Sequence, residues 1–266
     1  MAVITLLSDF GLDDPYVAQM KGLILSNAPD AEIVDISHGI QKHNVAAGSF
    51  VLETTVSFFP KGSIHVAVVD PGVGGTRLPI AIDCDEGILI GPDNGLMTRA
   101  ADRLGLRAAY EIRNRQFNGE EVSSTFHGRD IFAYAAAALS RDGRASEVGP
   151  KVREIVRLDI PSVDFSKNQI SCSVLYVDSF GNVVTNVPAH DLGRVELQEG
   201  RSVKISKDKG EDWYDSVSTV SYFDIPTGRF GLLLGSQGYL EIALKEANAA
   251  AKLGVKHMDR LTIRIS

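Results

Sequence analysis

The residues best suited to chemistry begin at Asp70-Pro71-Gly72-Val73-Gly74-Gly75-Thr76-Arg77, directly after the apolar run 64–69. A carboxylate at a strand end, a flexible glycine turn and an arginine make a poor core. They make a good rim, where the turn can bring a charged pair together at the edge of a sheet. Further along, His127 lies in Thr125-Phe126-His127-Gly128-Arg129, a turn ahead of an alanine-rich stretch. A histidine there could move a proton near neutral pH or simply pack. Asp9 and Asp14 flank Phe10-Gly11-Leu12-Asp13 before a helical pattern, where carboxylates either cap a helix or hold a ligand. Asp178-Ser179-Phe180-Gly181-Asn182 has the composition of a hairpin turn, and Gly91-Pro92-Asp93-Asn94-Gly95 that of a polar loop. Taken singly, each cluster also has a plain structural explanation.

Several familiar chemistries do not fit. Gly72-Val73-Gly74-Gly75 follows a strand, but Arg77 stands where a dinucleotide-binding GxGxxG needs its last glycine, and Pro79 interferes with a helix there. No GxxxxGK[ST] loop, HExxH helix or GxSxG elbow occurs; Gly235-Ser236-Gln237-Gly238 has the wrong spacing for the last. Cys84 and Cys172 form no CxxC or Cys/His pattern. Both sit in apolar, strand-like runs, which predicts buried thiols in a reducing compartment.

The elements that must position these clusters can be read from the apolar pattern. Residues 3–7 form a short strand ending at Ser8-Asp9, and Pro15 opens a helix with Val17, Met20, Leu23 and Ile24 on one face. A second strand spans 33–36 and ends at Ser37-His38; Asn44 is the N-cap of a helix running to about Phe58, and residues 64–69 form the third strand. This β-α-β-α-β order predicts parallel strands with right-handed crossovers, placing Asp9, His38 and Asp70 at one sheet edge, where open α/β sheets bind ligands. Residues 80–84 and 87–90 read as a hairpin whose second strand delivers Asp93 and Asn94 to the same edge. A helix is expected from Asp130 to about Arg141, followed by a weakly patterned linker punctuated by Gly143, Gly149-Pro150 and Pro161. After Ile170 the texture changes to short strands at 173–177, 183–185, 202–205, 217–222, 230–234 and 239–244, the signature of a small barrel or sandwich.

The whole chain bounds the answer further. Its 266 residues, 44% hydrophobic and 23% charged, are ordinary for a soluble globular protein with room for two modest domains. A formal net charge of −7 argues against a broad nucleic-acid-binding surface while leaving room for a compact nucleotide-like ligand. Residues 1–9 lack a basic leader and read as a strand, not a signal peptide. No apolar run approaches the ~20 residues of a membrane span. The expectation is a cytoplasmic protein that binds neither nucleic acid nor membrane.

In this order, the clusters resemble the S-adenosylmethionine hydroxide adenosyltransferases, the water-using relatives of fluorinase and chlorinase. The resemblance starts at Ser8-Asp9-Phe10-Gly11, Asp14 and Tyr16-Val17-Ala18-Gln19-Met20-Lys21-Gly22. It continues through Val34-Asp35-Ile36-Ser37-His38, Phe58-Phe59-Pro60-Lys61-Gly62, the Asp70 to Arg77 turn and Gly91-Pro92-Asp93-Asn94-Gly95-Leu96. The run 125–130, Ser146-Glu147-Val148-Gly149, the stretch 178–186 and Gly238-Tyr239-Leu240-Glu241-Ile242-Ala243 complete it, so that it covers essentially the whole chain. The expected fold is α/β: an N-terminal α/β domain with a mainly parallel sheet (1–160) and a smaller C-terminal β-barrel domain (161–266). The resemblance implies a homotrimer with active sites at subunit interfaces. The implied reaction is S-adenosylmethionine plus water giving adenosine and L-methionine, with no metal and no cofactor besides the substrate itself.

Residue by residue, the resemblance puts the family's catalytic trio on Asp70, Arg77 and His127. Asp9 matches the carboxylate that grips the ribose hydroxyls, with Asp14, Tyr16 and Thr125 in the same pocket. Asp178 matches the residue facing the methionine ammonium and Ser236 one facing its carboxylate. Phe180 and Asn182 match residues that stack on and bond to adenine, and Tyr222 an aromatic wall. Two positions depart from the halogenating relatives: His43 replaces a tryptophan, and Gln237 replaces an arginine, which weakens a methionine-carboxylate clamp. The chemistry suits the trio. Methionine leaves a sulfonium as a neutral thioether, whereas water, with a bulk pKa of ~15.7, is a weak nucleophile that must be held in line and deprotonated. A hydrogen-bonded Asp70–His127 pair, with Arg77 fixing the carboxylate, could do both. Which member takes the proton is open at this level. Competing readings are a non-catalytic S-adenosylmethionine or adenosine sensor, a metal-dependent hydrolase using Asp9, Asp70 and His127 as ligands, and halide transfer, for which no halide pocket is evident.

Overall fold

The structure is a computed structural model that describes residues 2–141, 143–166, 168–195, 197–207 and 212–265. The chain divides into two compact units, Met1–Leu158 and Asp159–Ser266.

The first unit is built on β1 (Val3–Ser8), α1 (Tyr16–Asn27), β2 (Glu32–Ser37), α2 (Val45–Val56) and β3 (Ser63–Val68). It continues with β4 (Pro79–Cys84), β5 (Gly87–Pro92), α3 (Thr98–Leu104), β6 (Leu106–Glu111), α4 (Tyr134–Leu139) and β7 (Lys151–Val152). The seven strands form one sheet in the order β2-β1-β3-β5-β4-β6-β7. Strands β1, β2, β3 and β5 run parallel, while β4, β6 and β7 pair antiparallel, so the sheet is mixed. Every residue of β3 is buried, as a central strand covered on both faces requires. Ile4 and Leu6 of β1 join α1 and α4 in one core. The opposite face of the same strand receives α2, because Gly48 has no Cβ to collide with Leu96 and crowd Val69, and lies close to Leu7. Asn44 caps α2 as its type predicts, its side chain accepting from Ala47 N at 3.0 Å.

Two expectations for this unit are corrected. The helix expected from Asp130 begins instead as a single π-turn, Gly128–Ala133, and becomes α-helical only at α4. Gly128 lets the turn lie against the rings of Phe10 and Phe126, and Asp130 turns back to bond Ser123 N. Helix α3 and strand β6, not anticipated, occupy 98–111 and complete the sheet beyond β4.

The second unit comprises β8 (Asp164–Ser166), β9 (Gln169–Val177), β10 (Val183–Pro188), β11 (Ser202–Lys207) and β12 (Tyr214–Ser218). Strands β13 (Phe230–Leu234) and β14 (Tyr239–Leu244), helix α5 (Ala249–Leu253) and strand β15 (Arg260–Ile265) follow. Pairing runs β10-β14-β13-β12-β11-β15-β9, and β9 pairs again with β10, closing a barrel of 7 strands to which β8 is appended. Its interior holds alternating side chains such as Ile170, Cys172, Val174, Leu240, Ile242, Leu261 and Ile263. The strand expected at 217–222 lies earlier in the chain. Its pairing with β11 ends at Ser202 opposite Val217, and residues beyond Thr219 turn away from the barrel.

Candidate active site

Strands β1, β2, β3 and β5 are parallel, so Asp9, His38, Asp70 and Asn94 leave the sheet at the same edge. The Asp70 turn then performs what its composition suggested. Arg77 Nε donates to Asp70 Oδ1 at 3.1 Å and Nη2 to Oδ2 at 2.5 Å, a two-point fork whose side chains are 10% and 5% exposed. The same Nη2 lies 2.8 Å from His127 Nδ1. Gly74 explains how two distant segments meet. It has φ +74°, and a Cβ there would run into the carbonyl oxygen of Ser124, so the glycine turn packs directly on the segment carrying Thr125 and His127.

Arginine only donates, so His127 Nδ1 must be the acceptor, which leaves the ring neutral with its proton on Nε2. Its electrostatics agree. Burial first, and the Arg77 charge second, hold the imidazole below the usual 6.5, outweighing Asp70 and Asp130. The direct Asp70–His127 bond expected from the sequence is therefore replaced by two bonds through Arg77. Asp130 braces the same segment: it is buried, accepts from Ser123 N at 2.9 Å and pairs with Arg129 at 2.6 Å. Arg129 in turn lies over the Phe126 ring and reaches Gln19 on α1.

The other N-terminal candidates surround the same sheet edge. Asp9 is 6% exposed and accepts from His43 N at 2.8 Å, which His43 offers from a left-handed backbone (φ +64°). Ser8 Oγ and His38 Nδ1 are 2.7 Å apart, and Gly11 N bonds to His38 O, joining the ends of β1 and β2. Tyr16 is half exposed, its ring edge-on to Phe126 at 5.2 Å and tilted on Phe10 at 5.7 Å. Asp14 and Thr125 are exposed, with Thr125 Oγ1 3.1 Å from Ser123 Oγ.

In the second unit, Asp178, Phe180, Asn182 and Tyr222 share a cavity of about 770 Å³ with Phe223, Ile225 and Asn248. The β9–β10 turn is tied by Asp178, whose Oδ1 accepts from Phe180 N and Asn182 N and whose Oδ2 accepts from Asn182 Nδ2. Gly181, at φ +85°, rests on Asn248, the N-cap of α5. Phe180 is 78% exposed, an open face offered to a ligand or partner. Tyr222 comes from the turn after β12, not from a strand, and its hydroxyl donates to Glu241 Oε1 at 2.6 Å. Ser236 lies outside that lining, on the exposed turn joining β13 to β14.

The chain matches the SAM hydroxide adenosyltransferase N-terminal domain over residues 4–149 and the C-terminal domain of that family over residues 172–262. It belongs to that family. An (R)-S-adenosyl-L-methionine hydrolase of Salinispora tropica is 36% identical over 263 residues, 98% of this chain and 97% of the relative. A fluorinase of Nocardia brasiliensis is 29% identical, over 96% of this chain and 94% of the relative. A crystal structure of an uncharacterized conserved protein from Thermotoga maritima matches with a TM-score of 0.92 at 32% identity, over 98% of this chain and 99% of that one.

Among the described residues of this family member, no group of three or more His, Cys, Asp and Glu side chains is placed to hold a metal ion. The geometry of the trio gives a reason. Both Asp70 oxygens and His127 Nδ1 already face the Arg77 guanidinium. Two residues escaped sequence reasoning as individuals. Asp130 is a buried acid that the pattern marks only as a helix start, and Glu241 is 3% exposed in Tyr239-Leu240-Glu241-Ile242, where alternation would put it in solvent.

Proposed function

We propose that this protein hydrolyses S-adenosylmethionine to adenosine and L-methionine, with the trio Asp70, Arg77 and His127 acting on one water. The observation that carries the mechanism is Arg77 standing between the other two, because it assigns them opposite hydrogen-bonding roles. Asp70 is the acceptor. His127, with its Nδ1 taken, presents Nε2–H as a donor. A water held between them has one O–H directed at Asp70 and one lone pair engaged by His127, leaving the second lone pair for C5′. As the O–C5′ bond forms, the C5′–S bond breaks and its electron pair returns to sulfur, neutralising the sulfonium as the thioether of methionine. The water proton passes to the Asp70 carboxylate and from there to solvent. No acid is needed at sulfur, and no metal is called for. Hydrolase relatives at 32–36% identity carry names that specify the (R) sulfonium, and we take the same configuration for this chain.

The remaining candidates bind. Asp9, with Asp14, Tyr16 and Thr125, takes the ribose side; Phe180, Asn182 and Tyr222 take adenine; Asp178 and Ser236 take the amino-acid end. The protein works as a homotrimer with sites shared between subunits, in the cytoplasm. The large exposure of Phe180 favours burial in an assembly. No described helix is long and apolar enough to cross a membrane.

Turnover in ¹⁸O-water is expected to place the label on the 5′ oxygen of adenosine and to survive exhaustive chelation. Asp70→Ala is expected to abolish product while retaining adenosine binding. Unlabelled adenosine would exclude attack by water, and activity restored only by an added metal ion would overturn the metal-free mechanism.

A further inference from the structure

Glu241 is an unexpected residue in a barrel wall. It is 3% exposed, sits in β14 opposite Val184 of β10 and Leu233 of β13, and has apolar residues on both sides along its own strand. Burial lifts its carboxyl above the usual range, nearby Asp178 adds to the effect, and the Tyr222 hydroxyl only partly opposes it. A leucine would bury here without desolvating a charge, so barrel stability does not ask for an acid. What uses it is the turn after β12. Ile225 anchors one end of that turn, buried against Leu233 and Ala243 and admitted by the bare Cα of Gly231. The Tyr222 ring, half exposed in the cavity wall, is pinned at its far tip by the 2.6 Å bond to Glu241 Oε1. The second oxygen lies over Gly235, where a Cβ would collide with it, so the turn bearing Ser236 also closes on this carboxylate.

We propose that Glu241 is a positioning residue for substrate binding: it holds Tyr222 as a rigid wall of the C-terminal cavity and seats the Ser236 turn beside it. This rests on the functional reading above. A tyrosine free at its tip would swing toward solvent, and the ligand would then have to order it on binding.

Kinetics with S-adenosylmethionine, adenosine affinity by calorimetry and Tm together test the idea. Glu241→Leu is expected to raise KM and the adenosine Kd about tenfold, the scale of one lost hydrogen bond to a charged group, with kcat changed less than about twofold. Its Tm should not fall. Tyr222→Phe should do the same, and the double variant no worse than either single one. Glu241→Gln, whose carbonyl still accepts from the hydroxyl, should recover most of the affinity. A fall in Tm accompanied by loss of every parameter would make Glu241 merely structural. Glu241→Gln as damaged as Glu241→Leu would mean that the charge itself acts on the ligand. If the wild type shows no turnover but the adenosine affinities follow the pattern, the reaction assignment fails and this inference stands. If the wild type turns over and the variants match it, the inference alone fails.

Discussion

Arg77 is the residue on which the candidate site turns. A guanidinium offers several donors in one plane, and three acceptor atoms on two other side chains face it. Lysine has the same charge on a single point and cannot serve that set. Arg77→Lys is therefore expected to lower kcat by about 10²-fold or more, through misplacement of the pair, while KM moves little. Steady-state kinetics checks this; a KM rise matching the whole loss would make Arg77 a binding residue instead. The order of the trio was not legible in the sequence. Residue types and the glycine turn predicted that Asp70 and Arg77 would meet, and they do. That the histidine would dock on the arginine and not on the aspartate depends on where residues 119–130 fold, which no spacing encodes.

At the scale of elements, the site depends on a turn fitting a loop. Gly74 combines a left-handed backbone with contact against Ser124 O, so Gly74→Ala meets both backbone strain and a collision. The expected result is a loss of about 1–3 kcal/mol in stability and a drop in kcat larger than that loss explains, since His127 shifts with the loop. Urea unfolding and kcat measured on the same preparation test it; wild-type kcat with only a lower Tm would disconnect the turn from the site. Elements with unbroken apolar runs were readable: β1 to β5 and the parallel edge follow from them. Others were masked by their own chemistry. Helix α3 is short and carries Arg99, Asp102 and Arg103, so it looks like a loop. Strand β15 alternates Leu261, Ile263 and Ile265 with polar residues, a signal that was present but lay at the chain end. The π-turn has no compositional mark beyond Gly128.

For the whole molecule, three histidines weaken the fold as the medium turns acid, and the raised carboxyls of Asp93 and Glu241 act in the opposite sense. Burial lowers His65 to about 4 and, as the largest cause, also lowers His127 and His257. Their unfolded-state value is 6.5, so between that pH and 4 the unfolded chain takes up a proton that native His65 refuses, and His127 and His257 act in the same direction. Stability from these groups is complete above about pH 7 and falls as the pH drops, by about 3 kcal/mol from His65 alone. Urea titrations of the wild type and of His65→Gln from pH 7.5 to pH 4.5 should diverge by this decline; parallel profiles would refute it. Assembly gives a second whole-molecule test. Asp70→Ala and Asp178→Ala damage different units, and if sites are shared between subunits, an equimolar mixture of the two after random subunit exchange should regain about a quarter of wild-type activity. No recovery after verified subunit exchange would confine each site to a single chain. The closed ring of the second unit bears on how such an assembly can form. A barrel whose strands are all paired on both sides has no main-chain donors and acceptors to lend, apart from three-residue β8. Among the described residues, a neighbour can extend this ring's hydrogen-bond ladder only along that short edge, and recognition elsewhere on the ring rests on side chains. If a neighbouring subunit docks on this barrel, exposed side chains such as Phe180 and Phe223 are expected to carry the choice of partner, so that single substitutions there would change it.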